Sequence, residues 1–105
     1  MLRRFFTPIN VKNQYLKYRL PSLLSEMYII RWFPNSKTDI HYHNGKLCQF
    51  MVLNDILHEK RYHNNSNFAD NLLRPFTIYS INDDIGAHSV SNNDNKIKWS
   101  LHRYR

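Results

Sequence analysis

Asp39-Ile40-His41-Tyr42-His43-Asn44-Gly45-Lys46-Leu47-Cys48 is the most informative segment of this chain. On extended backbone, residues i and i+2 point to the same face. His41 and His43 therefore bring two imidazoles to one point, the geometry a metal ion needs. A third histidine, His88, lies downstream in Asp83-Asp84-Ile85-Gly86-Ala87-His88-Ser89-Val90-Ser91-Asn92, another strand-like segment. Neutral imidazole suits Fe, Zn, Cu or Ni, and three protein ligands leave coordination positions open, as in catalytic sites. The plain alternative is that His-Tyr-His is the polar face of an ordinary strand.

Outward from this stretch the chain reads as all-β. Runs rich in β-branched and aromatic residues recur at Met27–Phe33, Lys46–Leu53, Phe76–Ile81, His88–Ser91 and Ile97–Tyr104. Turn residues separate them: Pro34-Asn35-Ser36-Lys37, Asn54-Asp55, His63-Asn64-Asn65-Ser66-Asn67 and Asn92-Asn93-Asp94-Asn95. Asn54-Asp55 reads as a hairpin turn between Leu53 and Ile56. Helical turns are expected only over Leu16–Met27, where Pro21 interrupts, and over Asn67–Leu73. Short strands at regular spacing predict an antiparallel sandwich or barrel over residues 27–105, preceded by an extension at 1–26 that holds the short helix.

Composition narrows the class. A chain of 105 residues with 42% hydrophobic and 14% aromatic content is one folded domain. Apolar runs fall short of the roughly 20 residues a spanning helix needs. Met1-Leu2-Arg3-Arg4-Phe5-Phe6-Thr7-Pro8 is basic without an apolar region of signal-peptide length, so a cytoplasmic location is expected. The single cysteine excludes an internal disulfide and fits a reducing compartment. The net charge of +7 comes from basic residues scattered along the chain, which reads as a basic surface without a nucleic-acid or membrane footprint.

Three separated motifs carry a resemblance. Ile40-His41-Tyr42-His43 is followed after four residues by Cys48. Ile81-Asn82-Asp83-Asp84-Ile85-Gly86-Ala87-His88 has Asn92 four residues on. Trp99-Ser100-Leu101-His102-Arg103-Tyr104 is similar to a Ser-Leu-His-x-Tyr motif. In this order they resemble the cysteine dioxygenase (type I) family of the cupin superfamily, over roughly residues 15–105. The resemblance implies a cupin, a small antiparallel β-barrel or jelly roll. It is a shortened one, because the chain ends one residue after Tyr104. It implies mononuclear non-haem Fe(II) held by His41, His43 and His88, and oxidation of L-cysteine by O2 to cysteine sulfinic acid, a step of cysteine catabolism. Cys48 stands where many cupins carry a glutamate ligand; in the family's animal-type members a cysteine there is joined by a thioether to a tyrosine, which Tyr104 matches. Ser100 and His102 match second groups that hydrogen-bond toward that tyrosine. Arg19 corresponds to the arginine that holds the substrate carboxylate, with Arg31 and Arg103 as other candidates.

Residue chemistry agrees with these roles. Three neutral imidazoles leave Fe(II) its full charge, which favours an anionic ligand such as a thiolate, and sulfinate is the second rung of thiol oxidation. Arginine holds a carboxylate bidentately, which lysine does not. Ser100, His102 and Tyr104 alternate along a strand and so share one face. Cys48 also reads as a small buried apolar residue. His58 and His63 fall outside the motifs and read as surface residues, and Trp32 and Trp99 as core. The rival readings are a dioxygenase of another small thiol such as 3-mercaptopropionate, and a truncated cupin that binds metal without turnover. No partner beyond the thiol and O2 is expected, and the chain reads as a monomer or weak oligomer.

Overall fold

The computed structural model describes residues 15–21 and 25–105. Among these, nine segments are extended: β1 (Tyr15–Leu20), β2 (Glu26–Trp32), β3 (Ser36–Lys37), β4 (Cys48–Val52), β5 (Leu57–His63), β6 (Ser66–Leu73), β7 (Tyr79–Ile81), β8 (Ala87–Asn92) and β9 (Lys98–Tyr104). Five form one antiparallel sheet in the order β1-β2-β9-β4-β7, and four form a second in the order β3-β8-β5-β6. Only β1–β2 and β5–β6 are consecutive neighbours; every other link carries the chain from one sheet to the other. The result is a two-layered jelly roll.

Period-two burial explains why these segments pair as they do. Ile30 and Trp32 of β2, Phe50 and Val52 of β4, Leu57 of β5, Leu73 of β6, Ile81 of β7 and Val90 of β8 all turn inward and form one core. Each such side chain contributes roughly 1.5–3 kcal/mol on burial. Polar residues plug part of the interior. The Lys98 ammonium is fully buried against the Ile56 carbonyl and the Asp94 carboxylate. The Asn92 amide donates to the carbonyls of Trp32, Phe33 and Lys96 at 3.3, 3.2 and 2.8 Å. No helix among the described residues is long and apolar enough to cross a membrane.

Three expectations fail here. The helical turns expected over Leu16–Met27 give way to β1 and the start of β2, whose ladder runs from Tyr15↔Trp32 to Leu20↔Met27; residues 22–24 lie outside the described residues, as does the extension before residue 15. Asn67–Leu73 is also not helical. Asn64 and Asn65 both take left-handed backbone, at φ 50° and 65°, and fold β6 straight back onto β5. That two-residue turn matches strand twist, and the resulting ladder outweighs the weak helix propensity of the segment. Finally, Asn54-Asp55 does not close a hairpin, because β4 and β5 belong to different sheets. It is a sheet-to-sheet corner, with Asp55 at φ 59° and the Asn54 carboxamide accepting the Trp99 amide at 2.7 Å.

Candidate metal centre

His41-Tyr42-His43 lies in the link between β3 and β4, on extended backbone outside the named strands. Its one ladder contact is a bridge to His88 of β8, made by the His41 amide to the His88 carbonyl at 3.0 Å and the return bond at 3.1 Å. The alternation read from sequence still holds: Tyr42 is exposed, while His41 and His43 turn inward. The next turn fixes the second histidine. Asn44 and Gly45 take φ 54° and 78°, and the Lys46 amide donates to the His43 carbonyl at 3.0 Å. Asp83, in the β7–β8 link, clamps that turn from outside. Its two carboxylate oxygens accept the amides of His43 and Gly45 at 2.8 and 2.7 Å, which hold its carboxyl below the usual range.

The three imidazoles form a near-regular triangle. Ring centroids are 5.0 Å apart for His41–His43, 4.7 Å for His41–His88 and 4.8 Å for His43–His88. One nitrogen of each lies within 4.8 Å of the others, so the group could hold a metal ion. Burial, with the neighbouring histidines adding, drives His41 down to about 4 and His43 to about 3. Both are therefore neutral at pH 7, the form that binds metal. His41 Nδ1 donates to the Asp39 carbonyl at 2.8 Å, which leaves Nε2 its lone pair. His43 is buried with neither ring nitrogen hydrogen-bonded. An unpartnered buried imidazole is costly, and a metal ion shared with its two neighbours would satisfy it. The donor set fits the group.

Other residues meet around this triangle. The cavity in front of it encloses about 450 Å³ and is lined among others by Tyr15, Lys17, Tyr28, Trp32, His102 and Tyr104. β4 and β9 pair so that Cys48 sits opposite Tyr104, and their side chains are hydrogen-bonded. Burial raises the Tyr104 hydroxyl and pushes the Cys48 thiol up to about 12, so both are protonated at neutral pH. Trp32 Nε1 donates to Ser100 Oγ at 2.8 Å, and Ser100 Oγ in turn is 2.7 Å from His102 Nε2. Complete burial holds His102 well below its ordinary value, hence neutral. Tyr104 does not extend this line: its hydroxyl meets Lys17 Nζ at 3.4 Å as well as Cys48.

Arg19 is the sequence-selected residue that the fold keeps away. It is exposed, outside the cavity lining, with its guanidinium 3.5 Å from the Tyr28 hydroxyl. Arg31 and Arg103 also lie outside the lining, Arg31 against the rings of Phe33 and Trp99 and Arg103 on Gln49. Lys17 takes the inner position instead, its ammonium 4.3 Å from the Tyr28 ring centre and 4.7 Å from that of Tyr104. Sequence reasoning missed it because Lys17 and Arg19 occupy equivalent positions of one alternation. It also missed Glu59, a fully buried carboxylate 2.7 Å from His88 Nδ1. His58 and Lys60, its neighbours on β5, face away from the cavity.

Neither a family model nor a curated protein matches the sequence. Solved structures do match its shape. A cupin-2 domain protein from Rhodospirillum rubrum, 15% identical, superposes with a TM-score of 0.71 over 87% of this chain and 59% of its own. The fold is a cupin fold. An oxalate oxidase at 14% identity gives a TM-score of 0.73 over 99% of this chain and 58% of its own. A sugar phosphate isomerase of the cupin superfamily from Silicibacter pomeroyi, at 18%, gives 0.69 over 86% and 58%. This chain thus spans less than two thirds of the length of these structures, and at such identities the likeness concerns the fold alone.

Proposed function

We propose that this cupin is a thiol dioxygenase that uses Fe(II) and O2 to oxidise L-cysteine to cysteine sulfinic acid. The observation that carries this reading is the meeting of Cys48 with Tyr104 beside a cluster made only of histidines. His41, His43 and His88 would hold the ion, which when bound favours the substrate's thiolate and supplies the redox chemistry that lets its sulfur react with O2. The cavity's volume is at the small end of ligand pockets, about 300–1,000 Å³, which suits a substrate of amino-acid size.

The chain's own residues would do the rest. Lys17, whose ammonium faces the cavity, holds the substrate carboxylate in place of Arg19; it offers a point charge where arginine would offer a fork. Tyr104, kept protonated by burial, donates one hydrogen bond to the bound substrate. Trp32, Ser100 and His102 form a hydrogen-bonded line that supports the wall next to Tyr104. Cys48 and Tyr104 become joined by a thioether, losing two hydrogens to an oxidant such as O2. Their facing positions supply the proximity this requires.

Oxygen uptake by the Fe(II)-loaded protein tests the reading. L-cysteine should drive uptake and yield sulfinate, and 3-mercaptopropionate should drive less. A faster rate with 3-mercaptopropionate would move the substrate assignment, and no uptake with either thiol would leave a metal-binding cupin without turnover. Peptide mass spectrometry after turnover should find the Cys48 and Tyr104 peptides joined and lighter by two hydrogens. Finding only the separate peptides would remove the cross-link.

A further inference from the structure

Glu59 is an anomaly of the core. Its side chain is wholly inaccessible on β5, two residues on from the inward-facing Leu57, where a lone carboxylate would be strongly disfavoured. Its two oxygens are divided between different partners. Oε1 accepts from Arg61 Nε and from Asn71 Nδ2, both at 2.9 Å, whereas Oε2 is 2.7 Å from His88 Nδ1. The β5–β8 register, with Glu59 opposite Val90 and Arg61 opposite His88, places the carboxylate behind the His88 ring. Its ion pair with the Arg61 guanidinium, Nε to Oε1 at 2.9 Å, keeps it a carboxylate. An ionised carboxylate only accepts. The proton of the His88–Glu59 bond therefore sits on Nδ1.

We propose that Glu59 is a positioning residue for the metal centre: its carboxylate fixes His88 in the Nδ1–H tautomer and commits Nε2 to the triangle with His41 and His43. A carboxylate behind a ligating histidine orients the ring and raises its basicity, and losing such a partner weakens metal binding by about 10–100-fold. This inference rests on the metal reading above. The rival role is architectural. Arg61 also donates from Nη2 to the Ser80 carbonyl at 2.9 Å, so Glu59–Arg61 ties β5 of one sheet to β7 of the other. The two roles use different oxygens and can be separated.

Co(II) is the probe, added to the metal-free full chain and followed by its visible absorption. Glu59→Gln keeps the volume and removes the charge, and should weaken Co(II) binding by about 10–100-fold. Arg61→Met breaks the tie to Ser80 and should leave Co(II) affinity within about threefold while lowering the unfolding midpoint. Equal affinity loss in both variants, or none in Glu59→Gln, would overturn the proposal. Long-range 1H–15N correlation of the histidine rings in the unsubstituted metal-free chain needs no variant to fold. It should show His88 protonated at Nδ1, and protonation at Nε2 overturns the proposal whatever the metal does. Failure of the unsubstituted chain to bind Co(II) would count against the metal reading itself, with the tautomer still deciding the role of Glu59.

Discussion

Lys17 and Arg19 sit two positions apart on β1, yet one faces the cavity and the other faces solvent. Both lean on the same ring, Lys17 Nζ at 4.3 Å and Arg19 Cζ at 5.5 Å from the centre of Tyr28. Alternation puts both on one face, but their depth depends on where the strand stops along the barrel, which is set by the whole β1–β2 ladder. A hydrogen bond to a charged group is worth about 1.5–3 kcal/mol, or roughly 10–100-fold in an equilibrium constant. Lys17→Met should therefore raise KM for L-cysteine by roughly that factor with a smaller change in kcat, and Arg19→Ala should leave KM within about threefold. Steady-state oxygen uptake reads both, and the opposite pattern would return the carboxylate to Arg19. At this scale the three histidines were legible because two shared an i, i+2 spacing. Glu59 was hidden, since a charged residue between His58 and Lys60 reads as surface until its buried partners are known.

At the scale of elements, the glycines show how backbone and site are linked. Gly86 precedes β8 at φ 144°, and a Cβ there would collide with the Tyr62 carbonyl oxygen. Gly45, at φ 78°, has open space around the same position. Gly86→Ala should cost roughly 2–4 kcal/mol, from clash and strain together; Gly45→Ala, which meets only conformational strain, should cost about 1 kcal/mol. Denaturant unfolding of the metal-free chain compares them, and equal costs would show that the close approach to Tyr62 relaxes freely. The same scale explains the misread segments. β5 and β6 lack an apolar alternation because Glu59 and Asn71 occupy inward positions that a simple core would give to leucine or valine. The polar inner face that serves His88 is what blurred the strand pattern. His-Tyr-His shows the reverse case: its spacing was informative even though it joins the sheet through a single bridge.

For the whole molecule, the buried imidazoles set how the metal-free fold responds to acid. His41 at about 4, His43 at about 3 and His102, held well down, all lie beneath the ordinary 6.5, each chiefly through burial. As pH falls through 6.5, the unfolded chain takes up protons that the folded chain refuses, so stability rises with pH across roughly 4 to 6.5. Glu59 adds the same sign lower down: held at about 2 against an ordinary 4.5, it contributes stability that is lost as pH falls below 4.5. A tenfold difference in proton affinity between folded and unfolded chains is worth about 1.4 kcal/mol, and each kcal/mol moves the midpoint by several degrees. The thermal midpoint of the metal-free chain should therefore drop steeply between pH 7 and pH 4, by well over ~10 °C. Calorimetry at a series of pH values checks this, and a flat profile would mean that the three rings are hydrated in the folded state.

Local sequence was enough to establish that the chain is β-structure, that it carries a His-x-His pair with a distant third histidine, and that Cys48, Ser100, His102 and Tyr104 recur at informative spacings. These features are carried by alternation and turn chemistry, which act within a few residues. The assembled barrel alone determined that β4 and β5 part company at Asn54-Asp55 and that Cys48 lands opposite Tyr104. It also brought Lys17 and not Arg19 to the cavity, and stood Glu59 behind His88. Each of these depends on register and depth between strands far apart in the chain, and a one-residue slip in any of those ladders would reverse which face a side chain presents.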